Sequence, residues 1–255
     1  MSFSPEELER YARHIILREI GGPGQQKLKA AHVAVIGAGG LGSPALMYLA
    51  AAGIGRIRLI EDDVVSLSNL QRQVLHATDR VGRTKADSAR MALAAINPHV
   101  VLDTRETRLD PANARDLLAG VDLVLDGSDS FATRATVNAA CAALGIPLIS
   151  GAIAQWEGQV SLFDPARGTP CYACVFPDPP APGQAPSCAE AGVMGALAGI
   201  IGAMMAGEAI KHLTGAGHTL RGEMLIHDAL WSESRKIRLN RRADCPVCDS
   251  AGGGA

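Results

Sequence analysis

Aromatic residues are scarce, at 4% of the 255 positions, so any core this chain forms must be built from aliphatic side chains. The 47% of hydrophobic residues is enough to bury a substantial one. An excess of either charge is also missing: 24 Lys and Arg stand against 26 Asp and Glu, a formal net charge of -2. That balance argues against nucleic acid or an anionic membrane surface as a partner. No uncharged apolar run reaches the roughly 20 residues of a membrane span. The longest, 191–207, is followed by Glu208 and Lys211, and its glycines at 192, 195, 199, 202 and 207 suit close helix packing in a core or a subunit interface. The N-terminus, MSFSPEELERYARH, is charged and amphipathic and does not read as a secretory signal. A cytoplasmic protein is expected, in which the six cysteines stay reduced.

What is present is an ordered alternation of strand and helix patterns. Ser4 reads as an N-cap, Pro5 as the first helical position and Glu7 as the partner in a capping box. Leu8, Tyr11 and Ile15 follow as one apolar stripe. Gly21-Gly22-Pro23-Gly24 predicts a break before the main domain. Strand-like runs at 32–36, 56–60, 100–104, 121–125 and 147–150 then alternate with helical patterns at 41–52, 85–96, 112–118 and 131–144. This predicts an α/β fold, a Rossmann-like parallel-rich sheet with helices on both faces, whose ligands gather beyond the carboxyl ends of the strands. After Gly151 the character changes. Residues 153–163 alternate in the antiparallel manner, 164–189 form a Pro- and Cys-rich connection, and after the Gly-rich helix two strands are expected at 223–227 and 234–239.

Gly37-Ala38-Gly39-Gly40-Leu41-Gly42 follows a strand and opens a helix, where glycines admit a phosphate and the helix N-terminus offers free N–H groups. Glu61 and Asp63, after the next strand, stand where an acidic group can bind ribose. These features alone fit NAD as well as ATP. The segment Ser68-Asn69-Leu70-Gln71-Arg72-Gln73 is rich in donors, and Arg72 can grip phosphate; a bland exposed loop is the alternative. Lys85 falls in the first turn of a helix capped by Thr84, with Asp87 at the capping-box position. A cation there opposes the helix dipole unless an anion is held beside it; a solvated surface lysine is the other possibility. Asp126 and Asp129 close an apolar strand, where one or two carboxylates suit a hydrated Mg²⁺. Alternatively, Asp129 only caps the next helix.

Cys171-Tyr172-Ala173-Cys174 and Cys245-Pro246-Val247-Cys248 supply two close thiol pairs, the ligand set of a closed tetrahedral Zn²⁺. In a reducing compartment that reading outranks two disulfides, and it would pin the tail onto the connection after Phe163. Cys188 stands apart from these pairs in a loop before a helix, where a thiol can be activated; a free loop thiol is equally compatible. Cys141 reads as a core residue. His14, His76, His99, His212 and His227 show no ligand spacing.

Taken together, GAGGLG, the acidic residues of IEDDVV, SLSNLQRQ, VGRTKADSAR, VLDGSDS and the paired CxxC motifs resemble the MoeB/ThiF/HesA family, relatives of ubiquitin-activating enzymes, and most of all its MoeB branch. The resemblance runs from about Tyr11 to Cys248. It implies an adenylyltransferase that uses ATP to activate the C-terminal carboxylate of a ubiquitin-like sulfur-carrier protein ending in Gly-Gly. It further implies that Gly40, Glu61, Ser68 to Arg72, Lys85 and Asp129 form the ATP site, with Asp129 directed at Mg²⁺. Arg13, by the same resemblance, enters the ATP site of the other subunit of a homodimer, and Cys188 matches a position where some members form a covalent sulfur link. Glu61 stands where the family usually has Asp, and Ser130 where Asn is common. The expected organisation is a single adenylation domain over 1–249, comprising a helical arm (1–24), a nucleotide-binding part (25–150) and a carrier-binding and zinc part (151–249), with a disordered tail at 250–255. No room for a rhodanese domain follows Cys248, so a separate sulfur donor is expected. Two other functions compete: a nicotinamide-dependent dehydrogenase, and a non-catalytic scaffold that binds nucleotide or a ubiquitin-like partner.

Overall fold

The computed structural model describes residues 2–178 and 192–249. Three helices precede the sheet: α1 (Pro5–Arg10), α2 (Ala12–Ile15) and α3 (Gly21–Ala30). The capping box closes in both directions, with the Ser4 N–H donating to Glu7 Oε2 at 2.8 Å and the Glu7 N–H donating to Ser4 Oγ at 3.1 Å. The single stripe does not form. Tyr11 is buried, but Leu8 is 49% exposed, because Tyr11 is the junction at which α1 ends and α2 begins and the 3.6-residue period is reset there.

The glycine-proline run is also not a break, since it makes the first turn of α3. Pro23 sits where its missing N–H is not needed. Gly24 lets the helix dock closely: a Cβ there would come within 3.0 Å of Ile20 Cγ2 and 3.4 Å of Thr214 Cγ2.

Eight strands form one sheet in the order β3-β2-β1-β4-β5-β6-β7-β8. Strands β1 (His32–Ile36), β2 (Arg56–Ile60), β3 (Val101–Arg105), β4 (Leu123–Asp126) and β5 (Leu148–Ala154) are parallel. Strands β6 (Glu157–Phe163), β7 (Glu223–Asp228) and β8 (Glu233–Arg238) extend the sheet in antiparallel fashion. The order reverses between β1 and β4, so a crevice opens above their carboxyl ends. Helices α4 (Gly42–Ala51), α5 (Lys85–Ile96), α6 (Ala114–Leu118) and α7 (Phe131–Leu144) connect the parallel strands. They are followed by the short α8 (Tyr172–Val175) and the long α9 (Gly195–Thr214).

The core lies on both sheet faces. On one, Leu46, Leu49, Leu93 and Ile201 pack over Val35, Ile57 and Leu59; on the other, Leu118, Val137 and Tyr172 pack with Val124, Leu148 and Phe163. α9 has 20 residues and a hydropathy of 1.2, long and apolar enough to cross a membrane by length and composition. Here it packs against α4, α3, β5 and β6. Its buried Glu208 accepts the Leu220 N–H at 2.8 Å.

Not all of the glycines in α9 serve that packing. A Cβ on Gly202 would stand 2.4 Å from both Leu41 O and Pro44 Cγ, whereas one on Gly199 or Gly207 meets nothing within 4 Å. Gly202→Val is therefore expected to destabilise the fold by about 1–3 kcal/mol or more through overpacking. Gly199→Ala should be neutral or stabilising by up to about 1 kcal/mol through helix propensity. Urea unfolding of the two variants checks this, and equal losses would contradict the assigned helix packing.

Candidate active site

A cavity of about 970 Å³ occupies the crevice above β1, β2 and β4. The turn after β1 forms its inner wall. Gly37 has a φ of +85°, a left-handed conformation in which glycine carries no Cβ penalty. Gly42 is needed for a different reason: a Cβ there would lie 1.9 Å from Gly37 O. Gly37, Gly39 and Gly40 line the cavity, and Gly42 stands behind them at the start of α4.

The turn is held from beneath. Glu61, at the exit of β2, is buried and accepts the Ala38 N–H on Oε2 at 2.7 Å and the Asp62 and Asp63 N–H groups on Oε1 at 2.9 Å each. The carboxylate lines the cavity, but three of its acceptor positions are filled by backbone. His76, which spacing gave no reason to single out, bonds the Ala38 carbonyl through Nε2 at 2.9 Å and Ser88 Oγ through Nδ1 at 2.8 Å. Burial holds its pKa below the usual histidine range, so this interior histidine acts as a neutral brace between the glycine turn and α5.

Lys85 begins α5 behind the Thr84 cap, whose Oγ1 accepts the Asp87 N–H at 3.1 Å. It is only 5% exposed, which rules out a solvated surface lysine. The anion its position calls for is present: Nζ lies 2.8 Å from Asp63 Oδ2, and the Lys85 N–H donates to the Asp63 carbonyl at 2.9 Å. Lys85, Asp63 and Arg72 all line the cavity. Ser68, Asn69, Leu70 and Gln71 are not among its lining residues. Ser68 and Asn69 belong to a short 3-10 turn (Leu67–Asn69) in which Asn69 Oδ1 accepts the Ser66 N–H at 3.4 Å. Arg72 Nη1 donates to the Ser68 carbonyl at 3.3 Å. Gln73 is buried in the cavity wall, and its Oε1 has no hydrogen-bond partner among the described residues.

The two aspartates after β4 separate clearly. Asp126 is fully buried within the sheet end and its Oδ1 accepts the Ser128 N–H at 2.9 Å; burial raises its pKa, against the pull of Arg134. Asp129 is exposed and lines the cavity. It does not cap α7, because Ser130 does, accepting the Thr133 N–H at 3.4 Å. Arg134, absent from the sequence-derived set, is a further cation in the wall. Only 8% exposed, it forks onto the Ser128 carbonyl through Nε at 3.1 Å and Nη2 at 2.7 Å, fixing the loop that carries Asp129. An arginine one turn into an alanine-rich helix directly after the aspartates was the available signal. Arg13 is exposed on α2 and does not line this cavity. Cys188 and the 250–255 tail lie outside the described residues.

The four CxxC sulfurs meet at one place. Cys171 Sγ lies 3.9 Å from Cys174 Sγ and 3.6 Å from Cys245 Sγ, and Cys174 Sγ lies 3.5 Å from Cys248 Sγ. A tetrahedral thiolate site with bonds of ~2.3 Å places its sulfurs about 3.8 Å apart, so the cluster fits a bound cation. Burial pushes the Cys171 and Cys248 thiols up. For Cys245 burial is outweighed by the Cys248 and Val247 backbone N–H groups, which bring its thiol down to about 7.

The ThiF family model matches residues 11–247. The sulfur carrier protein adenylyltransferase of Thermus thermophilus is 49% identical over 252 residues, covering 97% of this chain and 93% of the relative. The SAMP-activating enzyme E1 of Haloferax volcanii is 45% identical over 252 residues, covering 99% and 93%. Among solved structures, E. coli MccB superposes with a TM-score of 0.84 at 24% identity, over 97% of this chain and 73% of that one, a likeness of fold. With the family matched across nearly its full length, and with the glycine turn, the buried lysine and the four-cysteine cluster in place, the chain belongs to the ThiF family.

Proposed function

We propose that the chain transfers the AMP moiety of ATP to the C-terminal carboxylate of a ubiquitin-like sulfur-carrier protein ending in Gly-Gly, releasing pyrophosphate and leaving an acyl-adenylate for attack by sulfur. The observation that carries this is the gathering of Lys85, Arg72 and Arg134 around one cavity into which a glycine turn opens. Two relatives matched along 93% of their own length, named a sulfur carrier protein adenylyltransferase and a SAMP-activating enzyme E1, support it.

The carrier's carboxylate is ionised at neutral pH, its ordinary pKa being about 3.3–3.7, so its attack on the α-phosphorus needs no general base. The barrier is the approach of two anions and the charge that builds on departing pyrophosphate. Fixed cations in a partly enclosed site lower both. Lys85 exchanges Asp63 for a phosphate oxygen and thus stays paired throughout. Arg72 and the backbone N–H groups of the glycine turn hold the remaining phosphates, and Gln73 offers an amide to the bound nucleotide. Asp129 and the phosphates would hold Mg²⁺, which supplies charge neutralisation when bound. Glu61 has little acceptor capacity left beyond the backbone it binds, so any ribose contact through it is a single one.

In the same reading the cysteine cluster holds a structural Zn²⁺. Arg13 acts across a homodimer, Cys188 serves the later sulfur step with a separate donor, and the enzyme is cytoplasmic. The dehydrogenase alternative gives no role to Lys85, Arg72 or the cysteines, and a scaffold would be indifferent to the loss of Arg72 or Asp129.

Carrier-dependent ATP–pyrophosphate exchange should fall by about 100-fold or more in Lys85→Ala and in Asp129→Ala, the scale seen when one transition-state contact is removed. Undiminished exchange in both variants rejects these assignments, and no exchange with any Gly-Gly-ending carrier rejects adenylation itself. Chelation should remove the bound metal and lower the Tm by several degrees, because metal binding and folding are linked. Metal analysis finding no zinc in the isolated protein would exclude that part.

A further inference from the structure

α7 presents an apolar face to the sheet, with Val137, Ala140 and Cys141 buried. Asn138 lies in the same turn and is 2% exposed. A buried amide is retained only where both of its ends are used, and both are. Its Oδ1 accepts the Tyr172 N–H at 2.9 Å, and its Nδ2 donates to Cys171 Sγ at 3.7 Å. One side chain thus holds a sulfur of the cysteine cluster and the first backbone donor of α8. That helix, in turn, belongs to two sites at once. Cys171 caps it and Cys174 lies within it, while Tyr172 and Phe176 line the cavity, their ring centroids 4.8 Å apart. Tyr172 also meets Phe163 edge-on at 5.9 Å. From the same helix as Asn138, Arg134 reaches the Ser128 carbonyl in the loop that carries Asp129.

We infer that Asn138 is a positioning residue that couples the cysteine cluster to the cavity wall: it fixes the N-terminal end of α8 through two contacts, so the cluster's occupancy sets the placement of Tyr172, Phe176 and the 127–134 loop. Hydrogen bonds to metal ligands of this kind orient the ligand and change metal affinity by about 10–100-fold. The inference rests on the proposed function for the meaning of the cavity, but its test does not use adenylation.

The zinc-loaded full chain and its Asn138→Ala and Asn138→Asp variants would be compared by the rate of zinc release to a chromogenic chelator and by hydrogen exchange, each variant with and without zinc. Asn138→Asp keeps an acceptor for the Tyr172 N–H and puts a carboxylate in place of the donor to Cys171, so it perturbs the sulfur contact while keeping the contact to α8 should the alanine variant fold poorly. Zinc release should be about 10–100-fold faster in both variants. Stripping zinc from the unaltered protein should raise exchange in 172–176 and also in 127–134. In zinc-loaded Asn138→Ala the 127–134 segment should already exchange as fast as in the stripped protein. Wild-type release rates in both variants would overturn the proposal. So would 127–134 exchange that ignores zinc in the unaltered chain, since a purely local metal clip would protect 172–176 alone. A protein that holds no metal as isolated would overturn it as well. Absence of pyrophosphate exchange in the unaltered protein, with these readouts as expected, would count against the adenylation reading instead.

Discussion

The arrangement around the cavity depends on one carboxylate. Glu61 ends β2 and binds the backbone of the glycine turn and of its own two successors, so the turn cannot shift relative to the strand beside it. The consequences propagate by direct contact. Asp63, held by that bond, meets both the N–H and the ammonium of Lys85. The Ala38 carbonyl, fixed by the same turn, meets His76, which reaches back to Ser88 on α5. Strand exit, glycine turn and helix start thereby form one closed loop of hydrogen bonds, buried at Glu61, His76, Ser88 and Lys85 and open to solvent at Asp63. A buried lysine is tolerable here because its counter-charge is supplied by the segment that positions it.

The architecture follows from the same economy of backbone. A parallel sheet buries both faces and needs crossover helices, which the chain provides up to β5; from there the sheet continues in antiparallel fashion, through the β5–β6 and β7–β8 hairpins and a long β6–β7 connection that carries α8 and α9. β5 is bonded in parallel to β4 and in antiparallel to β6. The cavity spans this change, with the glycine turn, Arg72 and Lys85 contributed by the parallel half and Gln155, Glu157 and Gln159 of the β5–β6 hairpin closing its far side.

Much of this was legible in the residues. β1 is apolar after His32 and β2 alternates Arg56, Ile57, Arg58 and Leu59; both lie between clear turn signals, and their observed bounds are those the pattern predicts. The cysteine cluster was legible because two CxxC pairs are a local pattern with a single geometric outcome. β4 was misjudged at its end, since Asp126 pairs with both Ile36 and Ser150 in the ladder, and hydropathy does not place a carboxylate inside a sheet. Arg134, Asn138 and His76 went unassigned for a related reason. On an alanine-rich helix or in a polar loop, a periodic pattern marks them as outward-facing. Their roles are set by partners distant in sequence: the Cys171 sulfur 33 residues away for Asn138 and the Ala38 carbonyl 38 residues away for His76. For Ser68 to Gln71 composition marks the donors as present but not which of them shape their own turn, as Asn69 does.

The N-terminal helices carry one more implication. Tyr11 is seated in the body of the fold, its hydroxyl accepting from Asn97 Nδ2 at 2.8 Å and its ring occupying the space a side chain at Gly53 would need. Arg13 follows two residues later, on a short helix anchored by that peg. Its base is therefore a rigid mount and not a loose tail, so a second molecule approaching this face finds the backbone that carries the guanidinium already ordered. Of this segment's own conformational freedom only that of the side chain is left to lose on contact, which keeps the ordering part of the entropic cost small.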